Sequence, residues 1–126
     1  MRRETAGATI LLAEDEPAIR SLIEAALTAE GHLVLPAKNG YEALTIFNER
    51  AAEIDLVITD MCMPYIGGAE LIAALQARCP GLRSLCITAY PMDAQLGLPL
   101  LPKPFSRKEL LQRVRDALVR PTAIAV

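Results

Sequence analysis

Five short apolar runs alternate with amphipathic helical patterns along the chain, and this alternation restricts the fold more than any other feature. The runs are ATILLA, HLVLPA, DLVITD, RSLCITA and LPLLPKP, in that order. Each has the length of a strand and is largely apolar, which is typical of strands buried on both faces of a parallel sheet. Strands that alternate with helices favour helices on both faces of such a sheet. The sequence therefore predicts a doubly wound α/β fold.

Start and stop signals bound the helical segments between and after these runs. Pro17 lies near the first position of the first helix, and Gly31 ends that helix. Ser106 and Glu109 form a capping box that begins the last helix. Apolar residues recur at helical spacing within each segment, so each helix has one face suited to packing on the sheet.

The connection between the fourth and fifth runs is unusually short. Only eight residues, YPMDAQLG, separate Ala89 from Leu98. A parallel crossover that contains a helix generally needs about a dozen residues or more. We therefore predict that the fourth helix is shortened or replaced by a loop, with the neighbouring face of the sheet partly uncovered or mobile.

The length of the chain predicts one domain. Its 126 residues are enough for one buried core. We expect a single domain over residues 1–126, with a core of about 8–119 and flexible ends at 1–7 and 121–126. The start has no apolar segment of the signal-peptide type, and no apolar run approaches the length of a membrane span. These features predict a cytoplasmic protein with no membrane partner.

Charge and cysteine content exclude further classes of function. The net charge is -2, aromatic residues make up 4%, and the arginines are scattered, so we expect no direct binding of nucleic acid. The three cysteines, Cys62, Cys79 and Cys86, lack the paired spacing of a zinc site. We interpret them as reduced core or near-core thiols.

Polar side chains follow the ends of four predicted strands. Glu14 and Asp15 follow the first strand, Asp60 ends the third, Thr88 lies near the end of the fourth, and Lys103 follows the fifth. The carboxyl ends of parallel strands meet at one edge of a sheet, where ligands bind in folds of this kind. We therefore expect three carboxylates, a hydroxyl and an ammonium group on one rim.

This set of groups suits a metal ion and a phosphoryl group. Clustered carboxylates raise one another's pKa unless a cation lies among them, and Mg²⁺ (or Mn²⁺) prefers such oxygen ligands. Asp15 and Asp60 are candidate direct ligands, and Glu14 is a candidate ligand through water. A carboxylate can also act as a nucleophile and form an aspartyl phosphate, which Thr88 and Lys103 are suited to neutralise.

Four motifs together resemble the receiver domain of two-component response regulators. They are ILLAEDEP, DLVITDMCMP, ITA and PKPF, and in this order and at these separations they extend the resemblance over nearly the whole chain. The resemblance implies a flavodoxin-like (CheY-like) fold with a five-stranded parallel sheet of order 2-1-3-4-5. It is compatible with a stand-alone receiver or with one taken from a hybrid kinase.

The resemblance also implies roles for individual residues. Asp60 corresponds to the phosphoacceptor. Glu14 and Asp15 correspond to the acidic metal pocket, which the backbone carbonyl of Cys62 completes. The phosphoryl donor would be a phosphohistidine of a sensor histidine kinase or a histidine phosphotransfer protein, and the downstream protein target stays unknown.

Other positions bear on the phosphoryl group and on its lifetime. Thr88 corresponds to the residue that senses the phosphoryl group and Lys103 to the one that pairs with it. Cys62 and Tyr90 occupy the positions that tune its lifetime, and neither offers a carboxamide or carboxylate to hold an attacking water, which predicts slow self-dephosphorylation. Leu100 occupies the position where the family often has a switch aromatic, so we expect the signal to pass through the segment 90–97.

Two alternatives to a phosphorylation-controlled, non-enzymatic signalling receiver stay open. The first is a receiver-like protein-interaction module that is never phosphorylated, against which the intact set of candidate site residues argues. The second is a small Mg²⁺-dependent phosphatase with an aspartyl nucleophile. That chemistry usually needs a second acid two residues beyond the nucleophile, and Cys62 occupies that position.

Overall fold

The computed structural model describes residues 7–90 and 97–119. The strands are β1 (Thr9–Ala13), β2 (Leu33–Ala37), β3 (Leu56–Asp60), β4 (Arg83–Thr88) and β5 (Leu100–Pro102). The helices are α1 (Pro17–Ala29), α2 (Gly40–Arg50), α3 (Gly68–Arg78) and α4 (Arg107–Val119), and a short 3-10 helix spans Ala51–Glu53. Of the ends that we expected to be flexible, only Gly7 lies within the described residues.

All five strands are parallel and form one sheet in the order β2-β1-β3-β4-β5. This confirms the predicted doubly wound fold and its strand order. The order reverses between β1 and β3, which lie side by side with Ile10 opposite Leu56 and Ala13 opposite Thr59. In open α/β sheets, the crevice outside the carboxyl ends of the strands at such a reversal is where ligands bind.

Two buried clusters cover the two faces of the sheet. Successive side chains of a strand point to opposite faces, and β1 shows this clearly. Its Ile10 and Leu12 pack with apolar residues of α1 and α4, whereas Leu11 and Ala13 pack with those of α2 and α3. Every residue of the central strand β3 is buried. The carboxyl end of β3 is therefore held from both sides.

The connection between β4 and β5 agrees with a shortened fourth helix. β4 ends at Thr88, β5 begins at Leu100, and the two strands pair in parallel. Among the described residues, no helix lies between these strands. The predicted loop or single turn falls mainly on residues 91–96, which lie outside the described residues.

Helix α3 begins in close contact with the end of β3. A β-carbon at Gly68 would clash with the carbonyl oxygen of Asp60 and lie 2.9 Å from the Cα of Met61. The amide of Gly68 also donates a hydrogen bond to the carbonyl of Met61 at 3.0 Å. Only glycine fits this approach, so Gly68 sets how closely α3 packs against the strand that carries Asp60.

The three thiols occupy different surroundings. Cys86 is buried in β4, Cys79 is half-buried after α3, and none of the three forms a disulfide within the described residues. Cys62 is exposed, so the expectation of a core or near-core thiol is wrong for this residue. The reason is that the chain leaves the sheet after Asp60, and Cys62 lies in the loop that follows.

Within the described ranges, no helix is long and apolar enough to cross a membrane.

Candidate functional site

Two of the predicted carboxylates lie in the loop between β1 and α1. Glu14 is fully buried, and its Oε2 accepts a hydrogen bond of 3.0 Å from the amide of Glu16. Asp15 is exposed at the mouth of the site. From α1, the Nη1 atom of Arg20 donates a hydrogen bond of 2.8 Å to the main-chain carbonyl of Glu14. The loop thus holds one acid inside the protein and one at its surface.

Asp60 is the last residue of β3, and its side chain is held at both oxygens. Oδ1 accepts a hydrogen bond of 3.1 Å from the amide of Cys62. Oδ2 lies 3.1 Å from the Nζ atom of Lys103. The residue is only 6% exposed, so these two contacts fix a carboxylate that is nearly buried.

Lys103 directly follows β5 and extends back toward β3. Its amide donates a hydrogen bond of 2.7 Å to the carbonyl of Thr88, which keeps the end of β5 beside the end of β4. Burial alone would lower the pKa of the ammonium group. The hydrogen bond and charge of Asp60, with the charges of Glu14 and Glu16, outweigh burial and raise that pKa. Lys103 is therefore a fixed positive charge at the site.

Glu14, Asp15 and Asp60 form an acidic cluster. Each offers an oxygen atom, and these atoms all lie within 4.8 Å of one another. Burial, together with the negative charge of Asp60, raises the pKa of Glu14 to about 7, although the amide of Glu16 and the charge of Lys103 act in the opposite direction. The surroundings of the cluster therefore do not fully stabilise the negative charge of its three carboxylates.

The cluster fits a divalent cation. The Oε1 atom of Glu14 is buried and has no hydrogen-bond partner within the described part of the chain. A buried oxygen in that state normally has a partner, and a water held by a bound ion would supply one. The ligands that the cluster offers are all oxygen atoms, which suits a hard ion better than a thiolate-seeking metal such as zinc.

Thr88 ends β4 and contributes a hydroxyl group beside Lys103. The side chain is nearly buried, and its Oγ1 accepts a hydrogen bond of 2.9 Å from the amide of Tyr90. The same hydroxyl lies 3.3 Å from the carbonyl of Tyr90 and can donate to it. Tyr90 itself is mostly exposed. The hydroxyl is therefore linked directly to the main chain that leaves β4.

An open cleft of about 250 Å³ joins these groups. Its lining includes Asp15, Asp60, Cys62, Thr88, Tyr90 and Lys103. The structure thus brings these predicted site residues together, with Glu14 buried behind them.

Leu100 lies apart from the cleft. It is half-buried at the start of β5 and lines a different and larger cavity of about 520 Å³. That cavity lies against α4 and also contains Arg113 and Asp116. Among the described residues, however, the three-carboxylate cluster is found at the smaller cleft, so we assign the chemistry to the cleft and not to the larger cavity.

Sequence reasoning missed two neighbours of the cluster, Glu16 and Arg20. Glu16 lines the cleft, and its amide holds Glu14. Arg20 follows Glu16 by one helical turn, and side chains of a helix tilt toward its amino end. That spacing was the available signal for Arg20, because a residue in the first turn of α1 can reach back to the end of β1.

The fold and the site together define a signalling domain of the CheY-like class. Comparisons of the chain with protein families, with individual proteins and with solved structures agree. Residues 10–115 match the family described as the response regulator receiver domain. The chain is similar to the sensor kinase CckA of Brucella abortus, with 38% identity over 120 residues that make up 88% of this chain and 12% of the kinase.

Two solved structures are also similar. The chemotaxis protein CheY4 of Vibrio cholerae is 29% identical, with a TM-score of 0.82 and coverage of 90% of this chain and 100% of that chain. The response regulator TrrA of Thermotoga maritima, solved in complex with Mg(2+)-BeF, is 32% identical and has a TM-score of 0.79. The match covers 88% of this chain and 99% of that chain. The chain belongs to the response regulator receiver family, and its role is that of a phosphoacceptor in signalling.

Proposed function

We propose that Asp60 is the phosphoacceptor and takes a phosphoryl group from a phosphohistidine of a sensor histidine kinase or a histidine phosphotransfer protein. The observation that carries this proposal is the position of the Asp60 carboxylate. It lies between the ammonium group of Lys103 at 3.1 Å and the carboxylates of Glu14 and Asp15. A nucleophilic oxygen there has a fixed positive charge on one side and a candidate cation site on the other.

The transfer itself needs positioning and charge neutralisation more than acid–base chemistry. A carboxylate oxygen of Asp60 attacks the phosphorus atom, and the bond between phosphorus and the imidazole nitrogen breaks. The imidazole keeps the electron pair of that bond and takes up a proton. Lys103 stays within reach of the phosphoryl oxygens throughout, because main-chain bonding to Thr88 holds its position.

Mg²⁺, or Mn²⁺ in its place, would neutralise the phosphoryl oxygens when bound. Asp15 and Asp60 would hold it directly, Glu14 would do so through water, and the backbone carbonyl of Cys62 would complete the set. The buried, unpartnered Oε1 of Glu14 supports this assignment, as does the Mg(2+)-BeF complex of the similar protein TrrA.

The signal would leave the site through Thr88. To donate to a phosphoryl oxygen, its hydroxyl proton must turn away from the carbonyl of Tyr90, which lies 3.3 Å from Oγ1. Leu100 cannot act as an aromatic switch. We therefore assign the response to the segment 90–97, whose first residue, Tyr90, contacts the Thr88 hydroxyl through its main chain.

The lifetime of the phosphoryl group would depend on Cys62 and Tyr90, which line the cleft beside Asp60. A thiol and a phenol hold an attacking water less well than a carboxamide or carboxylate does, so self-dephosphorylation would be slow. We also propose that residues 1–126 act as one receiver domain in the cytoplasm, with a core of about 8–119.

Intact mass measured after incubation with Mg²⁺ and a small-molecule phosphoryl donor tests the proposal. The wild type should gain one phosphoryl group, and Asp60→Asn should gain none. Asp116→Asn makes the same chemical change on exposed α4 and should behave like the wild type. Turnover of the donor without a stable adduct would favour a phosphatase. No reaction with this donor or with a kinase would favour an unphosphorylated interaction module.

A further inference from the structure

The loop between β1 and α1 carries two of the three clustered carboxylates. On the sheet side, its main chain is held by the amide of Glu14, which donates a hydrogen bond of 3.0 Å to the carbonyl of Ala37 in β2. Helix α1 begins at Pro17, and its N-cap residue Glu16 makes no side-chain capping bond. Within the loop, the amide of Glu16 donates to Oε2 of Glu14. That contact depends on the Glu14 carboxylate, and a bound cation would compete with the Glu16 amide for it. A contact between α1 and the loop that does not involve the loop's own carboxylates would therefore persist when a cation binds.

Arg20 supplies such a contact. Its amide donates to the carbonyl of Glu16 at 2.9 Å, which places it one turn into α1. Its Nη1 then donates to the main-chain carbonyl of Glu14 at 2.8 Å, and the residue is half-buried. The guanidinium binds a main-chain oxygen that need not move when the carboxylates change partners.

The fixed loop matters because the acids repel one another. Glu14, Asp15 and Asp60 each have an oxygen atom within 4.8 Å of the other two, and Glu14 is fully buried. The bond from Arg20 ties the loop to α1, and without it the loop would have more freedom to separate the charges, so that a cation would have to draw it back. A site held in the binding geometry before the ion arrives binds more tightly.

We infer that Arg20 is a positioning residue for the divalent cation at this cleft. It does not touch the ion, and it holds Glu14 and Asp15 at the distance from Asp60 that binding requires. This inference rests on the metal site of the proposed function. It assigns to Arg20 the role of an outer contact that orients the groups around a metal.

Calorimetric titration of the unphosphorylated full chain with Mg²⁺ tests the inference. Arg20→Ala should raise the Kd about tenfold, the low end of what losing an outer contact of a metal site costs. Arg20→Lys keeps a donor of similar reach and should bind within about threefold of the wild type. Arg115→Ala is the matched control, because it removes the same charge from an exposed pair with Glu30 at 3.4 Å. Its Kd should equal that of the wild type.

Several outcomes would overturn the inference. These are an unchanged Kd for Arg20→Ala, equal weakening by Arg115→Ala, and an Arg20→Lys variant that binds as weakly as Arg20→Ala. Circular dichroism checks that the variants fold, and Arg20→Gln replaces Arg20→Ala in the comparison if the alanine variant does not.

The titration also separates this inference from the proposed function. A wild type that binds no Mg²⁺ overturns both. A wild type that binds Mg²⁺ but is not phosphorylated at Asp60 overturns the proposed function alone. Normal phosphorylation together with an unchanged Kd for Arg20→Ala overturns the inference alone.

Discussion

Asp60 and Lys103 form an ion pair of 3.1 Å across a strand that belongs to neither of them. Asp60 ends β3, Lys103 follows β5, and β4 lies between these two strands in the sheet. The lysine spans this gap because its amide is bonded to Thr88 at the end of β4. The site therefore depends on β3, β4 and β5 all ending at the same edge of the sheet.

Replacing Lys103 should slow phosphorylation without abolishing metal binding. Lys103→Met keeps the aliphatic stem but removes the charge that faces the phosphoryl oxygens. We expect phosphorylation by a small-molecule donor to slow by about 100-fold, the usual cost of losing one preorganised donor. The rate of mass gain measures this effect, and Lys108→Met on the exposed face of α4 is the control. A normal rate in Lys103→Met would contradict the assignment.

Much of the site could be predicted because it lies at strand ends. Apolar runs locate the strands, and parallel strands bring their carboxyl ends to one edge, so Asp15, Asp60, Thr88 and Lys103 could be placed there without coordinates. The strand order itself came from the family resemblance. Periodicity alone does not distinguish one order of parallel strands from another.

Other features left only a weak pattern in the sequence, such as the spacing of Arg20 from the end of β1, or none. The contact of Arg20 is made to a main-chain carbonyl, and any residue at position 14 supplies one. The need for glycine at position 68 arises from the approach of α3 to β3, which depends on how the two elements pack. The exposure of Cys62 depends on the path of the loop after Asp60. These features follow from tertiary geometry and not from local composition.

Gly68→Ala should destabilise the protein and disturb Asp60. The added methyl group would clash with the carbonyl of Asp60, so α3 must shift away from β3. Overpacking of this kind typically costs about 1–3 kcal/mol. Gly67→Ala is the comparison variant and should destabilise less, because its β-carbon would lie 3.3 Å from the carbonyl of Met61, a tight contact but not a clash. Urea unfolding compares the two variants, and equal free energies of unfolding would count against the role assigned to Gly68.

His32 should make the protein less stable in mild acid. It is nearly buried, and its Nδ1 accepts a hydrogen bond of 3.2 Å from the amide of Ala8. Burial lowers its pKa below 6.5, although the charges of Glu30 and Asp55 act in the opposite direction. The unfolded chain therefore takes up a proton more readily than the folded one. Stability due to this group is complete above about pH 6.5 and is lost as the pH falls toward the lowered pKa.

This pH effect can be assigned to one residue, since the chain has one histidine. Glu14, whose pKa is raised to about 7, also titrates in this range and favours the folded state as the pH falls, so the wild type is compared with a variant that lacks His32. Between about pH 7.5 and pH 5.5, the free energy of unfolding measured in urea should change less favourably in the wild type than in His32→Gln, because the glutamine keeps an acceptor but does not titrate. An equal change in the two proteins would contradict the role assigned to His32.

The lifetime of the phosphorylated protein should depend on the side chain at position 62. Cys62 lies in the cleft, and its amide holds Oδ1 of Asp60 at 3.1 Å, so its side chain is next to the path of an attacking water. A thiol orients water poorly, and a carboxamide does so well. Cys62→Asn should therefore shorten the half-life of the phosphorylated protein by about tenfold, which is about 1.4 kcal/mol in the barrier. Cys79→Asn, changed away from the cleft, should leave it unaltered. Loss of the phosphoryl mass after donor removal follows the reaction, and a wild-type half-life of only seconds would refute the argument.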